Sequence, residues 1–471
     1  MGSSLELDLV DLIEALDAGT ISHEQLMTET LDRIEAINPK VNAIVSLRPR
    51  EELISEATAC DRTARKKPLH GIPLAIKDLV DTKELRTTYG SQLFADHHPV
   101  ADSLLAERIR ASGAIIIGKT NVPEFGLGSQ TYNSVHGATR NPYDLTKTSG
   151  GSSGGAAAAI AAKLVSVADG SDMMGSLRNP AAFCNVYGFR PTYGLVPGDP
   201  TGETFLHQLS TNGPMSRSVA DLALLLDVIS GPEPGYPHSL PEQPSFLRKL
   251  QEPKDECRIA WLGDWDGYFP MERGILHLCE SALSTLGQLG HHIDRIAPEF
   301  DPEKLWMSWT RLRSLANLES LGKHYENPEE RNLLKPEVVY EVEQGLSLQV
   351  EEILEASLIR SEWFAYTASL FEAWDAIVFP SAQVFPFDVN EHWPSAINET
   401  EMTTYHKWME IVVPASLIGL PALNVPVGFS AHGLPMGMQI IGKRGSDPEI
   451  LKLGEVFHQA TMWPQKHAPI L

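Results

Sequence analysis

The stretch KTSGGSSGGAAAAIAAKLVSVADGSDMMGSLRNPAAFCNVYGFRP, residues 147–191, places two glycine-flanked serines, Ser152 and Ser176, close together in the chain. Ser152 stands just before an alanine-rich segment that we predict to be a helix. The N-terminus of a helix offers free N–H groups and partial positive charge. Ser176 follows the apolar segment LVSVA, which predicts a strand. A serine on a turn after a strand is well placed to present its hydroxyl to a cleft.

Several interpretations of this stretch stay open on the residues alone. Each glycine and serine cluster, taken separately, is typical of a tight loop built from small residues. Residues 151–155 also match the G-x-S-x-G pattern of a nucleophile elbow, but the segment RNPYDLTKTSG before them is polar and turn-like, whereas the elbow needs a strand. A phosphate-binding loop is disfavoured because the G-x-x-x-x-G-K-[ST] pattern is absent.

The segments around this stretch alternate between strand and helix patterns. GIPLAIKDLVD and AIIIGKTN predict strands, and DSLLAERIRASG between them predicts a helix. Such alternation is typical of a layered sheet covered by helices. Near the N-terminus, Ser22 and Gln25 form a capping-box pattern for a helix that we predict to end before Pro39. Residues 230–244 predict a Pro/Gly-rich surface loop, and the Glu-rich segment from about 300 to 370 predicts helices.

Composition restricts the class of protein. The chain has 471 residues, 42% of them hydrophobic, which is enough for a substantial core. A net charge of −23 disfavours nucleic acid and anionic membrane as partners. The four cysteines form no C-x-x-C pair, and we expect free, mostly buried thiols. We find neither a signal-peptide pattern nor a run of ~18 apolar residues, and therefore expect a cytoplasmic protein without a membrane span.

At this point the sequence resembles the amidase signature family. The resemblance covers most of the chain and is weakest from about 235 to 370. The matching pieces are GIPLAIKDLVDT, GKTNVPEFGLGSQTYNSVHGATRNPYD, SGGSSGGAAAAIAA, DGSDMMGSLRNPAAFCNVYGFRPTYGLVP, NGPMSRSVADLALLLDVISG and GLPALNVPVGFSAHGLPMGMQIIGKRGSD.

The resemblance implies one large α/β domain over residues 1–471, with a central twisted mixed β-sheet covered by helices on both faces. N-terminal helices would occupy about 1–65 and the signature core about 66–230. A variable region that builds much of the substrate pocket would occupy about 235–370, and the chain would return to the core over about 371–471.

The resemblance also implies a catalytic triad. Ser176 would be the nucleophile, Ser152, which in the family sits at a cis peptide bond, the proton bridge, and Lys77 the base. Lys77 lies in the apolar run PLAIKDL, where burial disfavours the ammonium and lowers its pKa. A neutral lysine can accept a proton, which a serine must lose to attack. The implied oxyanion hole consists of the backbone N–H groups of Met173, Met174, Gly175 and Ser176.

Other residues are assigned supporting and binding roles. We expect Asp172 and Arg178 to hold the nucleophile turn through backbone hydrogen bonds and an ion pair. Asp78 would orient Lys77, while Ser149 and Ser153 would hydrogen-bond Lys77 or the turn. By the same resemblance the substrate pocket would include Phe125 to Thr131, from which we predict Gly128, Ser129 and Gln130, together with Met174, as substrate-binding residues.

One position departs from the family pattern. The family usually has Asp-x-Gly-Gly-Ser before and at the nucleophile, whereas this chain has Met174 in place of the first glycine. If that position required a positive φ, the methionine would be strained. Two interpretations stay open: Met174 packs beneath the loop, or it lines the acyl pocket and favours an apolar acyl group.

The predicted function is hydrolysis of a small carboxamide or anilide, without metal or organic cofactor. The alternative within the family is the glutaminase-type subunit of a tRNA-dependent amidotransferase, which would need partner chains. A third hypothesis is an inactive member retained as a binding or scaffold protein. The predicted partner is the small amide substrate, and the sequence leaves a homodimer open as the assembly.

Overall fold

A mixed eight-stranded sheet runs through the middle of the molecule, and a three-stranded sheet adjoins its edge. The computed structural model describes residues 3–63, 65–206, 208–253 and 255–471. The strands are β1 (Ile44–Val45), β2 (Pro73–Lys77), β3 (Ile115–Thr120), β4 (Tyr132–Asn133), β5 (Gly137–Ala138), β6 (Arg140–Asn141), β7 (Asp144–Thr148), β8 (Val167–Asp172), β9 (Tyr187–Arg190), β10 (Thr211–Ser216), β11 (Arg258–Trp261), β12 (His292–Arg295), β13 (Ala376–Pro380), β14 (Ala396–Ile397), β15 (Thr400–Glu401), β16 (Ala422–Phe429) and β17 (Pro435–Ile441).

The large sheet has the strand order β12-β11-β13-β17-β16-β9-β10-β8. Strand β11 pairs in parallel with β12 and β13, and the remaining neighbours are antiparallel. The small sheet has the order β1-β3-β2, with β2 and β3 parallel. Short two-stranded ribbons are formed by β4 with β5, β6 with β7, and β14 with β15.

The two larger sheets meet where β2 runs beside β8. The backbone N–H of Lys77, the last residue of β2, donates to Asp169 Oδ1 of β8 at 3.0 Å. Every residue of β2 is buried, and the strand lies between β3 and β8. The end of β2 therefore delivers a lysine into the interior of the molecule.

Helices surround these sheets. They are α1 (Leu9–Asp17), α2 (His23–Val41), α3 (Arg50–Asp61), α4 (Leu104–Ala111), α5 (Gly154–Ala161), α6 (Arg178–Phe183), α7 (Val219–Ile229), α8 (Phe246–Lys249), α9 (Ile275–Gln288), α10 (Pro302–Glu326), α11 (Pro328–Arg331), α12 (Pro336–Ser347), α13 (Val350–Ala373), α14 (Val413–Ser416), α15 (Asp447–Thr461) and α16 (Trp463–Lys466). Short 3₁₀ turns lie at Ser4–Glu6, Gln92–Phe94, Glu124–Gly126 and Lys407–Val412.

The predicted start of α2 is confirmed, and its predicted end is wrong. The Ser22 hydroxyl accepts a hydrogen bond from the Gln25 N–H at 3.0 Å, as the capping pattern requires. The helix continues through Pro39 to Val41 and ends at Asn42, which adopts a left-handed conformation. A proline in the last turn removes one backbone bond from the helix, and this loss is small enough for the surrounding packing to override.

Helix α5 is buried along its whole length, which its composition of alanine and glycine explains. A Cβ atom added to Gly155 would stand 2.2 Å from the backbone nitrogen of Asn121, in the loop after β3. Only a residue without a side chain allows this approach of backbone to backbone. The loop that carries Ser152 is therefore anchored at its C-terminal side.

Long helices build one side of the molecule between residues 302 and 373, as predicted, and α10 packs against both α12 and α13. Residues 230–244 contain neither helix nor strand and are largely exposed, which confirms the predicted surface loop. Throughout the described part of the chain, helices that combine the length and apolarity needed to span a membrane are absent.

Candidate active site

Three chain segments bring the predicted triad together. Lys77 ends β2, Ser152 lies in the loop before α5, and Ser176 lies on the turn between β8 and α6. Ser152 and Ser176 line the same cavity, and both are buried. The peptide bond between Gly151 and Ser152 is cis.

The Lys77 amine is enclosed by hydroxyl groups. Its Nζ lies 2.9 Å from the Oγ atoms of Ser152, Ser153 and Ser171, and 3.4 Å from the Ser171 carbonyl oxygen. Complete burial lowers the pKa of Lys77 to about 7, although the Asp169 and Asp172 carboxylates act in the opposite direction. A substantial fraction of the amine is therefore neutral near pH 7, with a lone pair that can accept a proton from one of these hydroxyls.

The nucleophile turn is held by a buried carboxylate. Asp172 pairs with Arg178 at 3.0 Å and with Arg190 at 3.3 Å. Its oxygens also accept the N–H groups of Gly175 at 2.9 Å and Leu177 at 3.2 Å. Burial by itself would raise the pKa of Asp172, but the two guanidinium groups hold it well below its usual range. The geometry agrees with the predicted ion pair of Asp172 with Arg178, and adds Arg190 to it.

The predicted oxyanion hole consists of backbone N–H groups of the nucleophile turn, and not all of them are free. The N–H of Gly175 is engaged by Asp172, and therefore is not free for a substrate oxygen. Among the described residues, the N–H groups of Met173, Met174 and Ser176 have no hydrogen-bond partner. Gly175 has φ +78°, whereas Met174 is not among the residues with positive φ. The methionine that replaces a family glycine is thus accommodated without backbone strain.

The cavity at Ser152 and Ser176 is small, about 100 Å³, and is lined by residues from distant parts of the chain. Of the predicted substrate-binding residues, Gly128, Ser129 and Met174 line it. Gln130 does not, because its amide donates instead to the Val389 carbonyl oxygen at 2.9 Å. The complete lining is Leu79, Phe125, Gly126, Leu127, Gly128, Ser129, Ser152, Ser171, Met173, Met174, Ser176, Ser210, Arg313, Asn317 and Met409.

Met174 packs in the core and also lines the cavity, and its role toward an acyl group stays a prediction. Its side chain is 2% exposed and belongs to the main hydrophobic core, yet it also lines the cavity. Met173 lines the cavity as well, and its Sδ lies 3.0 Å from Arg313 Nη1. The two methionines thus bring apolar surface to the cavity beside the nucleophile turn.

Two predicted supporting residues serve other partners. The Asp78 carboxylate accepts hydrogen bonds from the backbone N–H and the hydroxyl of Thr88, and its own N–H donates to the Thr120 carbonyl oxygen. The Ser149 hydroxyl donates weakly to the carbonyl oxygens of Thr139 and Gly150. The prediction that Asp78 orients Lys77 is therefore wrong, and the Ser149 hydroxyl contacts neither Lys77 nor the nucleophile turn, the two partners predicted for it. Ser153 does contact Lys77, as predicted.

Sequence reasoning missed several residues of the site. Ser171 and Asp169 both lie in β8, where the DGSD pattern just before the turn could have indicated them. Arg313 and Asn317 come from α10, within the region that carries no family motif. Nothing in the local sequence signals which face of that helix meets the cavity. Within the described ranges, no three His, Cys, Asp or Glu side chains are grouped so as to hold a metal ion.

Comparisons with known proteins agree with this fold. The family model described as Amidase matches residues 25–451. The chain is 34% identical to a glutamyl-tRNA(Gln) amidotransferase subunit of Thermus thermophilus, over 96% of this chain and 97% of that protein. It is 30% identical to an acylamidase of Rhodococcus erythropolis, over 98% and 96% of the two chains. A bacterial aryl acylamidase of the amidase signature family superposes with a TM-score of 0.91 at 26% identity, over 98% and 99% of the chains.

The fold and these similarities define a hydrolase of the amide-cleaving class. The chain belongs to the amidase signature family. Its single-domain α/β architecture, with a mixed central sheet and surrounding helices, is the fold of that family, and the predicted fold class is confirmed.

Proposed function

We propose that this protein hydrolyses the C–N bond of a small carboxamide or anilide through an acyl-enzyme on Ser176. The observation that carries the proposal is the buried amine of Lys77, 2.9 Å from Ser152 Oγ, with Ser152 and Ser176 lining one cavity. An amine with a pKa of about 7 can act as a base at neutral pH, whereas a free lysine cannot. No cofactor is part of the proposal.

The proposed reaction begins with proton transfer. Neutral Lys77 accepts a proton from Ser152, which accepts the proton of Ser176 as its oxygen attacks the amide carbon. The carbonyl oxygen becomes an oxyanion, stabilised by the N–H groups of Met173, Met174 and Ser176, which lack partners among the described residues. The C–N bond then breaks, and the leaving nitrogen takes a proton from Ser152. Water hydrolyses the ester by the same route in reverse, and releases the carboxylic acid.

The buried ion pairs support this mechanism indirectly. Asp172 is fixed by Arg178 and Arg190, and in turn fixes the backbone of the turn through Gly175 and Leu177. The oxyanion donors are thereby held in place before substrate arrives, so little reorganisation is required in the transition state.

The nucleophile-elbow interpretation would make Ser153 the nucleophile. Its hydroxyl contacts Lys77 Nζ and the backbone of Ser171, and Ser153 is not among the residues that line the cavity. A serine-directed fluorophosphonate tests the choice, because it should label Ser176 and lose its target in Ser176→Ala. Labelling of Ser153 in the wild-type protein would contradict the proposal.

The second candidate function is the glutaminase-type subunit of a tRNA-dependent amidotransferase, which the 34% identity to an amidotransferase subunit favours. The discriminating experiment is a hydrolysis screen with the purified single chain on aliphatic amides, aryl amides, anilides, esters and glutamine. Turnover of simple amides without partner chains supports the stand-alone amidase. Glutamine hydrolysis that requires added partner chains would instead support the amidotransferase role.

The scaffold hypothesis is disfavoured by the complete triad and is rejected by any turnover in the same screen. Analytical ultracentrifugation of the same preparation measures the oligomeric state, for which a homodimer stays a proposal.

A further inference from the structure

One wall of the cavity carries polar groups that the triad does not use. Arg313 and Asn317 lie four residues apart on α10, and therefore face the same side of the helix. Both line the cavity with Ser152 and Ser176, and both are more than nine-tenths buried. Buried polar groups are normally hydrogen-bonded, so an unpartnered one among the residues that line a cavity indicates a place for a ligand.

Asn317 has a donor without a partner. Its Nδ2 is buried and makes no hydrogen bond to any described residue. Leaving such a group unsatisfied is unfavourable, since it loses its hydrogen bonds to water and gains none in the fold. The Oγ of Ser129, which lines the same cavity, is likewise buried and unpartnered among the described residues. The Asn317 amide thus lacks an acceptor, and an oxygen atom of a bound ligand is the kind of group that supplies one.

Arg313 contributes a second donor to the same wall. Its Nε donates to Glu341 Oε1 at 2.7 Å and its Nη2 donates to the Tyr405 hydroxyl at 2.8 Å. The remaining nitrogen, Nη1, meets the Met173 thioether at 3.0 Å, and a thioether sulfur is a weak acceptor. A better acceptor could therefore replace this contact.

The charge of Arg313 is already compensated. Glu341 is completely buried against it; burial raises the pKa of Glu341, but Arg313 together with His406 and the Tyr405 hydrogen bond lowers it below its usual value. Burial lowers the pKa of the neighbouring His406 to about 3, so this imidazole is neutral and adds no charge. The wall thus offers hydrogen-bond donors without a net charge, which suits an uncharged oxygen better than a carboxylate.

We propose that Asn317 and Arg313 form a subsite for a second, uncharged acceptor oxygen in the acyl half of the amide substrate. This inference rests on the proposed function. The acyl half is assigned because the leaving nitrogen takes its proton from Ser152, whereas Arg313 contacts Met173, on the turn that would hold the oxyanion. The substrate class is therefore an amide whose acyl chain carries an ether or carbonyl oxygen beyond the scissile carbonyl.

A matched pair of anilides tests the subsite. Methoxyacetyl and butyryl 4-nitroanilide differ only in an oxygen that replaces one methylene of the acyl chain. Their kcat/KM ratio in the wild-type protein contains both the intrinsic reactivity difference and the contribution of the subsite. The change of that ratio in a variant isolates the subsite, because the intrinsic term cancels.

Asn317→Asp and Asn317→Leu are the two test variants, since both remove the amide donor; Asp is nearly isosteric with Asn, and Leu is larger and apolar. We expect each to reduce the preference for the methoxyacetyl substrate about tenfold, the effect of one buried hydrogen bond. Ser320→Ala, on the exposed side of the same helix, is the matched control and should leave the ratio unchanged. An unchanged ratio in both Asn317 variants, with normal fluorophosphonate labelling of Ser176, would overturn the proposal.

Two further experiments distinguish the remaining outcomes. One uses anilides that carry the extra oxygen in the amine half, and the other uses ketones that protect the protein from labelling. If only anilides with the extra oxygen in the amine half responded to the Asn317 variants, the assignment to the acyl half would be wrong. If the wild-type protein were labelled but hydrolysed no amide, the proposed function would fail independently. The subsite would then be tested by the protection that methoxyacetone and 2-pentanone give against labelling, which should differ about tenfold in the wild-type protein and be equal in Asn317→Leu.

Discussion

Lys77 is completely buried, and its amine nevertheless lies among several hydrogen-bonding partners. Three hydroxyl groups stand 2.9 Å from its nitrogen. Burial disfavours the charged form, and hydroxyl groups can either donate to a neutral amine or accept from it. The residue is therefore built to change its protonation state near neutral pH.

The first prediction follows from this pKa of about 7. The base must be neutral, so kcat/KM should rise with pH through about 7 and level off above it. Lys77→Arg should lose activity by at least about 1000-fold, because a guanidinium stays charged and cannot accept the proton. Steady-state kinetics on a simple anilide, from about two pH units below that pKa to about two above it, provide the measurement.

A second buried lysine supplies the control for that prediction. Lys119 lies on the adjacent β3 and donates to the Thr82 hydroxyl, outside the cavity lining. Burial lowers its pKa to about 8, which could in principle produce a similar profile. In Lys119→Met the inflection of the wild-type profile should persist, and its disappearance there would mean that Lys119, and not Lys77, is the group that titrates.

Met174 gives the second prediction at the scale of a residue. Its side chain fills core volume and cavity wall together, so Met174→Gly should widen the range of acyl groups that the enzyme accepts. The loss of a buried apolar side chain should also lower the stability by about 2–5 kcal/mol. We expect kcat/KM for long and aromatic acyl amides to rise relative to short ones by one to two orders of magnitude, with fluorophosphonate reactivity retained.

Constant ratios across the acyl series would show that Met174 faces the core alone. Loss of reactivity even with the smallest probe would indicate that its side chain shapes the oxyanion turn. Met409, which also lines the cavity but lies on another segment, offers a comparison through Met409→Ala.

At the scale of elements, the sequence predicted what periodicity and turn residues specify. The strand that ends at Lys77, the alanine-rich α5 and the strand before the nucleophile turn all lie where their patterns place them. The predicted end of α2 was wrong. The prediction used only the local tendency of proline to end a helix, and packing along the rest of the helix overrides that tendency. The predicted role of Asp78 was wrong because neighbouring side chains at the end of a strand point to opposite faces.

Helix α5 provides the third prediction. A Cβ at Gly155 would overlap the backbone of Asn121 and of Ala43, neither of which can move without shifting a strand end. Gly155→Ala should therefore lower the unfolding free energy and kcat together, because α5 anchors the loop of Ser152 and Ser153. Thermal unfolding and anilide turnover measure the two effects.

Gly287 in α9 is the matched helical glycine, since nothing lies within 4 Å of the position of its Cβ. Gly287→Ala should raise the stability by about 0.5–1 kcal/mol and leave turnover unchanged, through helix propensity alone. Equal effects of the two substitutions would refute the steric argument for Gly155.

At the scale of the whole molecule, the triad was accessible to sequence reasoning and the wall facing it was not. Lys77, Ser152 and Ser176 belong to motifs with fixed local spacing, and the fold brings these motifs together at one cavity. Arg313 and Asn317 line that cavity because α10, which is far from the three motifs in the sequence, packs beside it. Through α10 the cavity is lined by methionines beside hydrogen-bond donors, and therefore is not purely apolar.

The last prediction concerns global stability and the cost of burying an amine. The folded-state pKa of Lys77 is about 7, below the value of 10.5 for a free lysine. Unfolding therefore takes up a proton between these two values, and the resulting penalty is largest below pH 7 and vanishes as pH rises towards 10.5. Lys77→Met removes this titration while it keeps the volume. Over about two pH units above the folded-state pKa, the wild-type protein should gain about 2 kcal/mol of unfolding free energy relative to the variant.

Urea unfolding of both proteins at several pH values measures that gap directly. Groups that do not interact with Lys77 titrate alike in both proteins, so their contributions cancel in the difference, whereas Asp169 and Asp172 are coupled to Lys77 and form part of the measured gap. If the buried amine is neutral, the unfolding free energy of the wild-type protein should rise relative to that of Lys77→Met as the pH increases. Parallel curves over the same range would mean that Lys77 stays charged when buried, and proton acceptance from Ser152 would then lose its physical basis.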